Sequence, residues 1–530
     1  MSDSMLSVPA PPPGVLERAL AALRNKQPDQ AAALLAQVLG HEPRNADALR
    51  LLGLAHQQGG AHAAALRHLQ DANAARPDDA TILNDLGSAL RDGGDLPGAT
   101  AMLRRATTLA PAFTIAWHNL GVALRLDGQS ESARTAFEQA LRCDPAFVPA
   151  RGALGDVLNG LGDTAGAEAS YRACVDTRSQ AAKAWFQLAN LKTVRLSDAD
   201  LKALQRWYVN PTLNDRERVH IGYALSKALE DHEQYESAFA LLTQTSRIKR
   251  AQFVWDANAF SRRVDAIAAA FARPPPSTSP VDLGREAIFL VCMPRAGATL
   301  TEQILASHPE VEGGHESLDL KNVIAEESTR RRQEFPHWVA QATPEDWRRL
   351  GQDYLARTAR WRTRRARFTD KGLENWQYVG AAAAMLPGAR FVNCRRDALE
   401  TCLSCYRQLF LDGIFFSYDI TELGAFWRDY DRLSLRWRER YPERFRDHVY
   451  EDLLARPEAQ IRDLLEFLGL PFDAACLEPH RTQREVRTFS SAQVRQPLRR
   501  DTARAERYGA ALDPLREALR GASSMPISGV

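Results

Sequence analysis

Four prolines in the first third of the chain, Pro43, Pro77, Pro111 and Pro145, recur every 34 residues, and this period limits the possible fold more than any other feature. The same interval links Leu52-Gly53, Leu86-Gly87, Leu120-Gly121 and Leu154-Gly155. It also links Gly60, Gly94, Gly128 and Gly162, then Ala65, Ala99, Ala133 and Ala167, then Leu69, Leu103, Phe137 and Tyr171. Two antiparallel helices per unit account for the pattern. The glycine in the first helix allows close approach, the second glycine marks the turn, and proline ends the unit. Such a unit cannot bury its apolar face alone, so the copies must stack.

These residues resemble the tetratricopeptide pattern, which implies an all-α TPR superhelix of four clear repeats over residues 43–178. Residues 1–42 read as an N-terminal segment with one divergent copy, and residues 179–271 as further TPR-like helices. Stacked repeats form a concave surface that commonly takes an extended peptide. A dimerisation scaffold fits the same pattern, and the sequence leaves the oligomeric state and the two roles open.

A chain of 530 residues is too long for one core. Lys plus Arg number 68 against 66 Asp plus Glu, a formal charge of +2 that offers no global field for nucleic acid or a membrane surface. Seven cysteines in so long a chain form no disulfide framework and suit a reducing compartment. Cys402 and Cys405 form a lone CxxC without a second pair, so they read as small apolar residues on a helix, and no metal site is expected. No membrane-length apolar run and no signal-like N-terminus are present in the sequence, which makes the expected location cytoplasmic.

Residues 272–284, beginning ARPPPSTSP, read as an extended Pro-rich linker. Beyond it, strand-like runs (AIFLVCMP, RFTDKG, ARFVNCRRD, DHVYEDLL) alternate with helical patterns. That rhythm predicts an α/β domain over residues 285–525 with a central parallel sheet, with functional residues just after the strands. In MPRAGATL, Arg295, Gly297 and Thr299 fall where backbone amides and a helix N-terminus can wrap an anion. A nucleotide triphosphatase loop would place lysine after its last glycine, but Ala298 stands there, which counts against ATP or GTP chemistry. Arg395 and Arg396 end a later strand, and Ser404 lies about two helical turns on, a cation and hydroxyl set for a second phosphate. Two anion sites imply a nucleotide charged at both ends.

MPRAGATLTEQILASHPEV followed by RFVNCRRDALETCLSCYRQLF resembles the paired nucleotide motifs of sulfotransferases that use 3'-phosphoadenosine 5'-phosphosulfate. TEQILASHPEV, FTDKG, CLSCY, VYEDLL and VRTFSSAQVRQPL are similar to the tyrosylprotein sulfotransferase branch, which in bacteria is often joined to TPR repeats. The resemblance implies a P-loop-like sulfotransferase fold in which Arg295 and the loop Ala296, Gly297, Ala298 and Thr299 hold the 5'-phosphosulfate. It implies Glu316 as general base, Lys371 as the cation on the leaving phosphate, and Ser490 near the same oxygens. Arg396, Ser404 and Tyr450 would grip the 3'-phosphate and nucleotide, with Arg504 or Arg507 as a late cation.

The family loop usually reads PRSGTTL, so Ala296 and Ala298 replace two hydroxyls. Each lost bond to a charged group costs about 1.5 to 3 kcal/mol in a dry site. The expected activity is sulfuryl transfer to a peptide tyrosine presented by the repeats. A TPR adaptor with a degenerate nucleotide domain and a carbohydrate or small-molecule sulfotransferase are the alternatives.

Overall fold

The computed structural model describes residues 14–520 apart from 193, 277, 315, 411–412, 485, 487, 489–492 and 499–502. The chain divides into two compact units, Met1–Ala184 and Trp185–Val530.

The first unit is helical hairpins throughout its described length. Val15–Arg24 and Pro28–His41 precede four 34-residue pairs: Ala46–Gln58 with His62–Ala75, Ala80–Asp92 with Leu96–Leu109, Thr114–Leu126 with Ser130–Cys143, and Val148–Leu161 with Thr164–Arg172. The repeat glycines do what the pattern demands. Gly60, Gly94, Gly128 and Gly162 turn the chain at φ of 77° to 97°, a region that penalises any Cβ. A Cβ on Gly53, Gly87, Gly121 or Gly155 would lie 2.6 Å from Leu69, Leu103, Phe137 or Tyr171. Each glycine thus admits the large side chain of its paired helix. Asn45, Asp79, Asp95 and Asp163 cap helix N-termini with their side chains.

The second unit is built on a five-stranded parallel sheet in the order β2-β3-β1-β4-β5. The strands are β1 Ala287–Cys292, β2 Val311–Gly313, β3 Arg367–Asp370, β4 Arg390–Arg395 and β5 Phe445–Val449. Three of them occupy expected apolar runs, β5 begins two residues before the expected DHVYEDLL and gives way to helix at Tyr450, and β2, only three residues long, was not expected. Every residue of β1 is buried, as an unbroken apolar run covered on both faces requires. After β1 the chain goes to one edge, returns through β3, and crosses to the far side of β1 to form β4. The strand order therefore reverses at β1 and β4, whose carboxyl ends flank the crevice where ligands of open α/β sheets bind.

Helices Asp215–Asp231, Tyr235–Arg250 and Ala257–Ala270 also belong to this unit. Their Val219, Tyr223, Phe239, Leu242, Val264 and Ile267 join the same buried cluster as the β1 residues Phe289 and Leu290. Phe271 seats on Gly380, where a Cβ would come within 2.5 Å of its ring.

Cys402 and Cys405 are buried on the helix Ala398–Tyr406, and all seven cysteines are free thiols. No helix among the described residues is long and apolar enough to cross a membrane.

Candidate functional site

The loop after β1 turns twice through left-handed backbone, at Arg295 (φ 72°) and Gly297 (φ 98°), before the helix Ala298–Ser307 begins. Gly297 caps that helix without a side-chain bond. Among the described residues the amides of Gly297, Ala298 and Thr299 donate no hydrogen bond to protein. Three unspent donors at a helix N-terminus form a cradle for a tetrahedral anion. Tyr450, the first residue of the helix after β5, closes over this turn. A Cβ on Gly297 would lie 2.9 Å from its ring.

One end of the site is organised by Lys371, which follows β3. Its Nζ lies 3.5 Å from Thr299 Oγ1, 3.3 Å from Glu316 and 3.7 Å from Glu302. Burial alone would lower its pKa, yet the two carboxylates outweigh burial and hold the ammonium above the ordinary lysine value. Glu302 is buried on the loop helix and also accepts from Thr369 Oγ1 at 3.2 Å and from Arg484 Nη2 at 2.7 Å. Arg484 Nε reaches Gln303 at 2.7 Å, which ties the segment near residue 484 to the same helix. Glu316 has a side chain 44% exposed, so one partner of Lys371 is open to solvent and the other is dry. Asp370, immediately before Lys371, is pushed up to about 6 by burial despite bonds from Asn375, Tyr354 and the Gly372 amide.

The other end lies on the helix Ala398–Tyr406 after β4. Arg295 Nε donates to Ser404 Oγ at 3.1 Å, and Arg396 Nη2 pairs with Glu400 at 3.2 Å. The Arg396 guanidinium also sits 5.0 Å from the centre of the Tyr450 ring. Burial, with Arg396 and Arg407 nearby, lowers Arg295 to about 10. Arg395 turns away to pair with Asp431 on the helix Ile420–Arg440.

The structure thus gathers Arg295, Ala296, Gly297, Ala298, Thr299, Arg396, Ser404 and Tyr450 around one turn, with Lys371 and Glu316 beside Thr299. Ser490 lies outside the described residues. Of the two late cations, Arg504 is the one placed at this helix: Glu400 accepts from the Arg504 and Ala505 amides, both at 2.6 Å. Arg507 instead reaches Tyr235 at 3.3 Å. Sequence reading missed Glu302, Arg484 and Glu400. The available signal for Glu302 was an acid within the apolar run ATLTEQIL; Arg484 and Glu400 carried none.

Residues 287–474 match the model of a family described as Sulfotransferase family. Residues 16–80 and 84–147 match the tetratricopeptide repeat model. An uncharacterized protein of Aquifex aeolicus (strain VF5) is 27% identical over 354 residues, which cover 63% of this chain. The chain spans 46% of that relative's length. Among solved structures, a thermophilic TPR protein of Thermus thermophilus is 20% identical, with TM-score 0.30, covering 34% of this chain and 98% of its own. PilF of Pseudomonas aeruginosa is 21% identical, with TM-score 0.31, covering 44% and 90%. MamA from Desulfovibrio magneticus is 21% identical, with TM-score 0.27, covering 30% and 88%. The chain therefore carries tetratricopeptide repeats followed by a sulfotransferase-family segment.

Proposed function

We propose that residues 285–525 form a domain that transfers a sulfuryl group from 3'-phosphoadenosine 5'-phosphosulfate to an acceptor hydroxyl, with a protein or peptide tyrosine as acceptor. The observation that carries this reading is the pair of cationic ends around one loop, Lys371 with Thr299 at one and Arg295 on Ser404, with Arg396 nearby, at the other. Two cationic groups suit a nucleotide with a phosphate at each end, and a triphosphate is disfavoured because Ala298 stands where a triphosphate loop needs lysine.

The bound donor supplies an activated sulfuryl group on a phosphate leaving group. The chain's own residues do the remainder. The amides of Gly297, Ala298 and Thr299 orient the 5' end, and the Lys371 ammonium neutralises charge as the bond between sulfur and the phosphate oxygen breaks. Glu316 accepts the phenol proton as the new bond from sulfur to the acceptor oxygen forms. With Lys371 held protonated by two carboxylates, its charge is present throughout the neutral range. We propose that the repeats recruit the acceptor protein.

A second reading, a TPR adaptor whose nucleotide domain binds weakly, is favoured by the methyl groups of Ala296 and Ala298, both buried in the loop where hydroxyls would serve the anion. Calorimetry of the full chain with adenosine 3',5'-bisphosphate beside ATP separates the two. Selective bisphosphate binding, with transfer of labelled sulfate to tyrosine peptides, supports the enzyme. Absence of binding leaves the adaptor.

A further inference from the structure

The helix that carries Ser404 ends at Tyr406, and the next two residues reach back into the helical segment that precedes β1. Gln408 Oε1 accepts a hydrogen bond from Lys192 Nζ at 2.7 Å, while its Nε2 donates to Asn190 Oδ1 at 3.3 Å. Arg407 forks onto the buried carboxylate of Glu230, which also accepts from the Tyr508 hydroxyl and lies 3.9 Å from Arg504. Gln408 lies just past the end of the Ser404 helix, and the Arg295 guanidinium that bonds Ser404 is near enough to act on the Lys192 charge, so Lys192 stands at the same end of the site as Arg295.

The two carboxylates named at this end are engaged by other groups. Glu230 is taken by Arg407 and Tyr508, and Glu400 by Arg396 and two backbone amides. Among the described residues Lys192 bonds no carboxylate, and its partner is the neutral Gln408. Burial, then the guanidiniums of Arg295, Arg407 and Arg504, push its pKa well below the lysine value, and Glu230 only partly opposes them. Its backbone is also left-handed at φ 60°, where a residue with a Cβ carries a cost that glycine avoids. A half-buried ammonium in left-handed backbone beside arginines is costly in the free protein, and a doubly charged tetrahedral anion offsets that cost.

We propose that Lys192, held by Gln408, binds the 3'-phosphate of the donor nucleotide together with Arg396 and Ser404. The nucleotide site then extends to Lys192, ahead of the segment that matches the sulfotransferase family. This rests on the donor reading above. Lys371 and Thr299 lie at the other end of the loop, so the contribution of Lys192 is confined to the 3' side.

The test is calorimetry on the full chain with adenosine 3',5'-bisphosphate and adenosine 5'-monophosphate. Lys192→Gln is expected to weaken the bisphosphate about tenfold or more, the effect of losing one charge-assisted bond, while the monophosphate, which makes no contact there, changes less than about twofold. Lys192→Arg should keep most of the preference for the bisphosphate. Unchanged bisphosphate affinity in Lys192→Gln, or equal weakening of both nucleotides, overturns the assignment of Lys192 alone. A wild-type protein with no preference for the bisphosphate overturns the donor reading itself, whatever the variants do.

Discussion

The ammonium of Lys371 stands 3.3 Å from the carboxylate of Glu316, at the edge of the Thr299 turn. The proposed base and the proposed leaving-group cation are therefore in contact before any ligand arrives. An acceptor hydroxyl would enter beside that pair, on the side where Glu316 is open to solvent and Glu302 is not.

Glu316→Gln is expected to lower kcat by about 100-fold to 10,000-fold, the usual contribution of a positioned base. Bisphosphate affinity should stay within about twofold, because the base does not touch the nucleotide. Single-turnover transfer of labelled sulfate checks the first and calorimetry the second. Full turnover in the variant would remove Glu316 from the mechanism.

Asp370 links stability to pH. Its carboxyl is raised to about 6 from an ordinary 3.8, so the folded state favours the neutral form. A raised pKa gives stability that is fully present below the unfolded value and is lost as pH rises through the folded one. The window runs from about pH 4 to about pH 6, and two pKa units correspond to about 3 kcal/mol. Asp370→Asn should flatten that part of the profile in urea titrations carried across the window and up to neutral pH. Parallel wild-type and variant profiles would show that burial of Asp370 has no such effect.

Restoring hydroxyls to the loop tests the weak point of the proposed donor site. Ala296→Ser with Ala298→Thr is expected to tighten bisphosphate binding by about tenfold or more per bond formed to the anion. No gain would mean that the free amides of residues 297 to 299 already saturate the bound oxygens.

Gly297→Ala meets two obstacles, a left-handed φ of 98° and a Tyr450 ring carbon 2.9 Å from the new methyl. The backbone cost is about 1 to 2 kcal/mol, and displacing Tyr450 also disturbs the cation stacked on it, Arg396. A lower Tm with weaker bisphosphate binding is expected. Adding Tyr450→Ala should relieve the collision but not the backbone cost, so recovery should be partial. Full recovery would place the whole effect in the ring.

In the repeats, Gly121→Ala should destabilise the first unit by about 1 to 3 kcal/mol through overpacking, because its Cβ would lie 2.6 Å from the buried Phe137 ring. Denaturant unfolding measures the loss. A neutral effect would show that Phe137 has room to move.

Where structure is made by neighbours in the chain, it was legible. Gly53 opposite Leu69, Gly60 in its turn and the apolar run of β1 all announce themselves within a few positions. The same holds for Gly297 after a strand and before a helix. Strand β2 was missed because three residues are too few to show a period. Nothing local shows that Asp370 is buried, and Glu302, though an acid in an apolar run, finds its partners Thr369 and Arg484 in distant segments.

The amino-acid order by itself determined the 34-residue hairpins, the parallel α/β rhythm and the glycine turn between β1 and its helix, since each depends on backbone preferences and side-chain periods that act over one or two elements. Only the tertiary structure decided that the compact border falls between Ala184 and Trp185, that Arg295 meets Ser404, and that Glu302 and Glu316 share Lys371. It alone brought Lys192 to Gln408, 216 positions away. Those pairings arise because burying one continuous apolar core forces distant polar groups into the same dry space, where each must find a partner, and no local pattern encodes which one it finds.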